Sequence, residues 1–184
     1  MGLLTRRGAA LALFLSWGVL GFTPALAAPT PSQVEAVFLF NFSQFVEWPP
    51  KVFPDAQSAM VIGVLGSDPF GSALDEVVRD EVVNGRKLTV RRFRSVEEVA
   101  DCHILFIGRS EGDRVAEILA RLKGRSILTV SELDGFAKQG GVIRFVLVDN
   151  KIRLHINLEA ARAVGLTISS KLLRPSQIVG PGED

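Results

Sequence analysis

A chain of 184 residues with 21 Lys and Arg against 20 Asp and Glu is close to neutral, which gives it no broad electrostatic grip on nucleic acid. Its length fits one domain able to bury a proper core. A single Cys excludes an internal disulfide, and two His without an acidic cluster argue against a metal site.

Residues 1–27 read as an export signal. Arg6-Arg7 are basic, Ala9 to Leu20 form a short apolar run, and Ala25-Leu26-Ala27 has the small-residue cleavage pattern. The run falls short of the ~20 residues that a spanning helix needs. The expected organisation is a signal peptide over 1–27 and one domain over 28–184, its ordered part spanning about 32–174. No later run is long enough to cross a membrane, so the expected compartment is the periplasm.

Ser32-x-x-Glu35 has the pattern of a capping box and predicts a helix start. Val34, Val37, Phe38, Asn41, Phe42 and Phe45 recur at helical spacing until Trp48-Pro49-Pro50 stops the helix. The apolar surface is broader than one stripe, so Phe38, Phe42 and Phe45 are candidates for core or for a dimer or partner surface. Met60 to Leu65 reads as a buried strand, with a turn at Gly66-Ser67-Asp68 and a helix from Pro69 to about Asp80. Strands are expected at Lys87–Phe93, Cys102–Ile107 and Ser126–Val130, with helices at Ser95–Ala100 and Asp113–Leu122. This alternation predicts an α/β fold: a mostly parallel sheet flanked by helices. The tail from Pro175 is expected to be mobile.

The most informative stretch is a hairpin. Val142 to Val148 and Lys151 to Asn157 flank Asp149-Asn150, two residues that tolerate positive φ. A two-residue turn sets Val148 opposite Lys151, Val146 opposite Arg153 and Arg144 opposite His155. Ile143, Phe145, Leu147, Ile152, Leu154 and Ile156 then share one face, and the other carries Arg144, Arg153 and His155. A one-residue slip would scramble this sorting. Asn157 is a good N-cap for a helix that Gly165 stops.

Arg144, Arg153 and His155 are the candidate ligand- or partner-binding residues. Guanidinium groups on a rigid strand suit a carboxylate. The competing reading is a solvated sheet face, and both stay open. The strand–helix junctions at Gly66–Gly71 and Ile107–Gly112 occupy positions where α/β proteins hold phosphates, but neither has a GxGxxG fingerprint or a P-loop lysine, so ordinary turns are expected. Cys102 and His103 are adjacent in a strand and point to opposite faces, so they form no dyad. Paired carboxylates and a GxSxG elbow are not evident. The expectation is a non-enzyme with no catalytic residue, cofactor or metal.

The chain also resembles the periplasmic YfiR-like family, domain of unknown function 4154. The resemblance rests on Phe136-Ala137, Gly140-Gly141, Ile156-Asn157-Leu158, Ala160-Ala161, Gly165-Leu166 and Ser169-Ser170-Lys171-Leu172-Leu173. Upstream, Asn41-Phe42, Phe45-Val46-Glu47-Trp48-Pro49, Asp68-Pro69-Phe70-Gly71 and Cys102-His103-Ile104-Leu105-Phe106 follow in the same order. It implies a repressor that binds the periplasmic part of an inner-membrane diguanylate cyclase, lowers cyclic di-GMP and restrains biofilm. It also implies a homodimer, sequestration by an OmpA-like outer-membrane lipoprotein, and no nucleic acid partner. A small-ligand sensor for carboxylate or aromatic compounds is the alternative. Members often carry cysteine pairs, whereas Cys102 here has no intrachain partner.

Overall fold

A computed structural model describes residues 28–180, 182 and 183. The expected export signal lies outside them. The first element is helix α1 (Pro31–Phe45). Its N-cap is Thr30, whose hydroxyl accepts from the Gln33 amide while the Gln33 side chain accepts from the Thr30 amide. The capping box therefore begins two residues before the expected Ser32. Glu35, assigned to that box from sequence, is instead buried.

After α1 come β1 (Val46–Glu47), β2 (Met60–Leu65), α2 (Ser72–Val78), β3 (Val82–Val83), β4 (Arg86–Phe93), β5 (Ile104–Ile107), α3 (Val115–Arg121) and β6 (Leu128–Ser131). Then follow β7 (Ile143–Val148), β8 (Lys151–Asn157), α4 (Leu158–Ala163), β9 (Thr167–Ile168), α5 (Ser170–Leu173) and β10 (Gln177–Val179). Helix α2 starts three residues later than expected, because the Asp68 carboxylate accepts from the Phe70 and Gly71 amides and holds Pro69 in a turn. A short 3₁₀ segment, Val96–Glu98, stands where a helix over Ser95–Ala100 was expected; a second, Arg109–Arg114, fills a junction expected to be an ordinary turn and leads into α3, the helix expected at Asp113–Leu122.

Eight strands form one sheet in the order β10-β8-β7-β6-β5-β2-β4-β3, parallel from β4 through β7. The mostly parallel α/β architecture read from the sequence is the one present. The β7–β8 register is the expected one: Val148 meets Lys151, Val146 meets Arg153 and Arg144 meets His155. Asp149 and Asn150 both take positive φ, 49° and 58°, which matches the twist of the hairpin. An Asn84-Gly85 turn makes a second, smaller hairpin of β3 and β4 that the sequence reading passed over. The tail corrects the expectation of mobility: β10 pairs in parallel with β8 and sets Gln177 beside His155.

Each sheet face carries its own core. Ile62, Val64, Ile104, Phe106 and Ile143 point to the side covered by α1 and α2. Leu65, Leu105 and Ile107 point to the side closed by α3. A two-stranded ribbon of β1 and β9 ties the end of α1 to the segment after α4. Among the described residues, no helix is long and apolar enough to cross a membrane.

Candidate functional site

The three residues chosen from sequence do share one hairpin face, but they are not equivalent. Arg153 is exposed. His155 is half-buried between Arg144 on β7 and Gln177 on β10, and its buried Nδ1 has no hydrogen-bond partner among the described residues. The Arg144 side chain is only 14% exposed, and its guanidinium is paired with Asp134. The expected cationic strip is thus one free arginine, one histidine and one arginine already engaged by an acid.

Open α/β sheets place ligands at the carboxyl ends of strands, where the strand order reverses. Here that point lies between β2 and β5, and it is closed. The Ser67 amide donates to the Ser110 hydroxyl at 2.9 Å, and the Ser110 amide donates to the Ser67 hydroxyl at 3.3 Å. A Cβ on Gly108 would stand 2.2 Å from the Ser67 carbonyl oxygen, so the two loops touch backbone to backbone. The two junctions are thus taken up by their contacts with each other.

One open cleft lies one strand further along. A cleft of about 410 Å³ wraps the ends of β5 and β6, and Glu35, Arg109, Glu132, Asp134 and Arg144 line it. The scaffold explains this convergence. Gly108 ends β5 and delivers Arg109. The Ser131 hydroxyl donates to the Ile107 carbonyl at 2.7 Å and accepts from the Leu133 amide, which fixes the turn that carries Glu132 and Asp134. Helix α1 brings Glu35 from above. Arg109 pairs with Glu132 at 2.5 Å, and Arg144 pairs with Asp134. Glu35 is 4% exposed, lies outside every ion pair of the described residues, and keeps Oε2 without a hydrogen-bond partner. Burial pushes its carboxyl up to about 8, the neighbouring Glu132 adds to the rise through its charge and a hydrogen bond to the protonated form, and Arg109 opposes it.

Sequence reasoning missed this cluster because its members come from four separate segments. One signal was available. The buried stripe of α1 is Glu35, Ala36, Leu39, Phe42 and Ser43, an i, i+1, i+4, i+7, i+8 series with an acid in it. The stripe expected from sequence is rotated relative to this one, and Val37, placed on it, is 44% exposed.

The aromatic candidates divide. Phe42 is fully buried and stacks on Phe145 at 5.9 Å, so in this chain it belongs to the core rather than to a surface. Phe38 and Phe45 are half-buried against the same core. His103 and Cys102 turn apart as expected. His103 Nδ1 accepts from the Val61 amide and its ring stacks on Phe53, while Cys102 Sγ donates to the Ile104 carbonyl. Burial pushes His103 down to about 4, with Arg86 adding to the fall, and pushes the thiol up to about 12.

The motif residues near the C-terminus have structural duties. The Asn157 side chain caps α4 by accepting from the Ala160 amide at 2.9 Å and donates to the Ala137 carbonyl at 3.0 Å, which joins β8, α4 and the 135–141 turn. Ser169 caps α5. Among curated proteins no relative matches the sequence. A family model does, over residues 32–177, and this span takes in both sheet faces, the hairpin and the acid–arginine cleft: the chain belongs to the DUF4154 family, described as YfiR/HmsC-like.

Proposed function

We propose that this protein is a non-catalytic periplasmic regulator that binds the periplasmic part of an inner-membrane diguanylate cyclase and holds it inactive, lowering cyclic di-GMP. Membership of the YfiR/HmsC-like family over residues 32–177 is the observation that carries this reading. The fold is compatible with it. Arg153 and His155 stand on a rigid hairpin near the sheet edge, which offers a partner a preformed surface at little ordering cost. Phe38 and Phe45, half-buried on α1, together with the exposed Val37 are the residues proposed for self-association. An OmpA-like outer-membrane lipoprotein is the proposed sequestering partner.

The test is cellular cyclic di-GMP in a deletion strain carrying a plasmid copy. A rise on deletion that the unaltered gene reverses supports repression. Failure of Arg153→Ala/His155→Ala to reverse it, at normal protein abundance, supports the hairpin as the working surface. Unchanged cyclic di-GMP on deletion counts against the cyclase partner.

A further inference from the structure

Glu35 poses a chemical problem that the fold answers only in part: its carboxyl shares a hydrogen bond with another acid, Glu132, and Oε2 is left without a partner among the described residues. A buried carboxyl oxygen without a donor is costly, and such atoms are rare in folded proteins. Every other acid in the cleft has a cation: Glu132 has Arg109, and Asp134 has Arg144. Glu35 Oε2 has none among the described residues. The cleft holds about 410 Å³, within the range of small-molecule sites, and the hairpin side chains Leu147 and Ile152 add an apolar wall.

We propose that this cleft is a binding site for a small ligand bearing a primary ammonium group, with Glu35 and Glu132 as the acceptors and Leu147 and Ile152 against an aliphatic body. The charge pattern selects this class. An anion would meet three carboxyl groups, with both arginines already engaged. A divalent cation is disfavoured, since no three of the described acids, histidines or cysteines converge on a point suited to a metal. A guanidinium is a planar fork that calls for two aligned acceptor oxygens, whereas an ammonium is compact and can turn one N–H to Glu35 and another to Glu132. Arg153 and His155, the residues assigned to a protein partner, do not line this cleft. It can be tested on purified protein without a cyclase, so its failure and the failure of the repressor reading are separable.

Binding carries a proton signature. The charged and titratable groups facing Glu35 are Glu132 and Arg109 from the loops after β6 and β5, with Asp134 and Arg144 further along the cleft. An ammonium that docks on ionised Glu35 displaces the proton that burial keeps there near neutral pH. The probe is n-hexylamine, with hexanoate as the control of equal length and opposite charge.

Isothermal titration at about pH 7, in two buffers of different ionisation enthalpy, is expected to give saturable binding of the amine in the range of about 0.1–1 mM, as suits a fragment. It should release close to one proton per amine. Affinity should rise up to about tenfold from pH 6 to pH 7 as the proton becomes easier to displace. Glu35→Gln is expected to weaken binding by about tenfold or more and to abolish proton release, with hexanoate bound by neither protein. The proton count is taken on the unaltered protein, so it stands even if the variant folds poorly. Absence of saturable amine binding, binding without proton release, full affinity in a folded Glu35→Gln protein, or preference for hexanoate would each overturn the site.

Discussion

Arg144 faces His155 directly across the β7–β8 ladder, and its guanidinium pairs with Asp134. The pair is lopsided: the Arg144 side chain is 14% exposed and that of Asp134 is 96% exposed. An acid so open to water contributes little through charge alone. The arginine contributes through its packed stem as well. Asp134→Ala is therefore expected to cost under about 1 kcal/mol and Arg144→Ala about 1–2 kcal/mol in urea unfolding. Equal losses would mean that charge, not packing, dominates the pair.

Glu35 makes stability depend on pH in a defined direction. Its folded carboxyl is raised from 4.5 to about 8, mainly by burial. Between those values the folded state holds a proton that the unfolded state releases, so stability is fully present below about pH 4.5 and falls as pH rises towards about 8. Glu35→Gln should match the unaltered protein at about pH 5 and exceed it at about pH 8.5, by about 1–3 kcal/mol. Thermal midpoints across that range check it, and parallel curves would refute it.

Phe42 tests the boundary between core and surface. Truncating a fully buried ring that touches both Phe38 and Phe145 should cost about 3–5 kcal/mol. Phe38→Ala, from a half-buried site, should cost about half as much. Comparable small losses at both positions would return Phe42 to the surface.

Gly108 should resist any side chain. The atom it would strike is the Ser67 backbone oxygen, which cannot move without opening the Ser67–Ser110 bridge. Gly108→Ala is expected to lower stability by about 1–3 kcal/mol. Gly112→Ala, whose new methyl would meet only the Leu133 side chain at 3.4 Å, should be far milder.

The parts legible in the sequence were those written locally. The hairpin register followed from a two-residue turn and strict alternation, and the helix after Asn157 followed from its cap. The parts that escaped depend on distant segments. Gln177-Ile178-Val179 is a short run among prolines and glycines, and it becomes a strand only because β8 offers it an open edge. The rotation of α1 was misjudged because Val34, Val37, Phe38 and Phe45, exposed or only half-buried, outweighed the small Ala36 and Ser43 that lie on its buried side. That error also hid Glu35, which looks like a capping acid until the helix is turned. The cleft has no spacing to read, since residues 35, 109, 132 and 144 meet only through the sheet.

The β1–β9 ribbon has a consequence for how the chain comes together. Val46 and Glu47 find their partners only at Ile168 and Thr167, and the Ser169 amide then donates to the Phe45 carbonyl. The first helix thus has no finished anchorage until the chain has been made through Ser169. Contacts so far apart along the chain slow folding, because the loop between them must close before any reward is collected. Until then the phenylalanine-rich helix lacks part of its cover, and exposed apolar surface of that kind favours association with neighbouring chains.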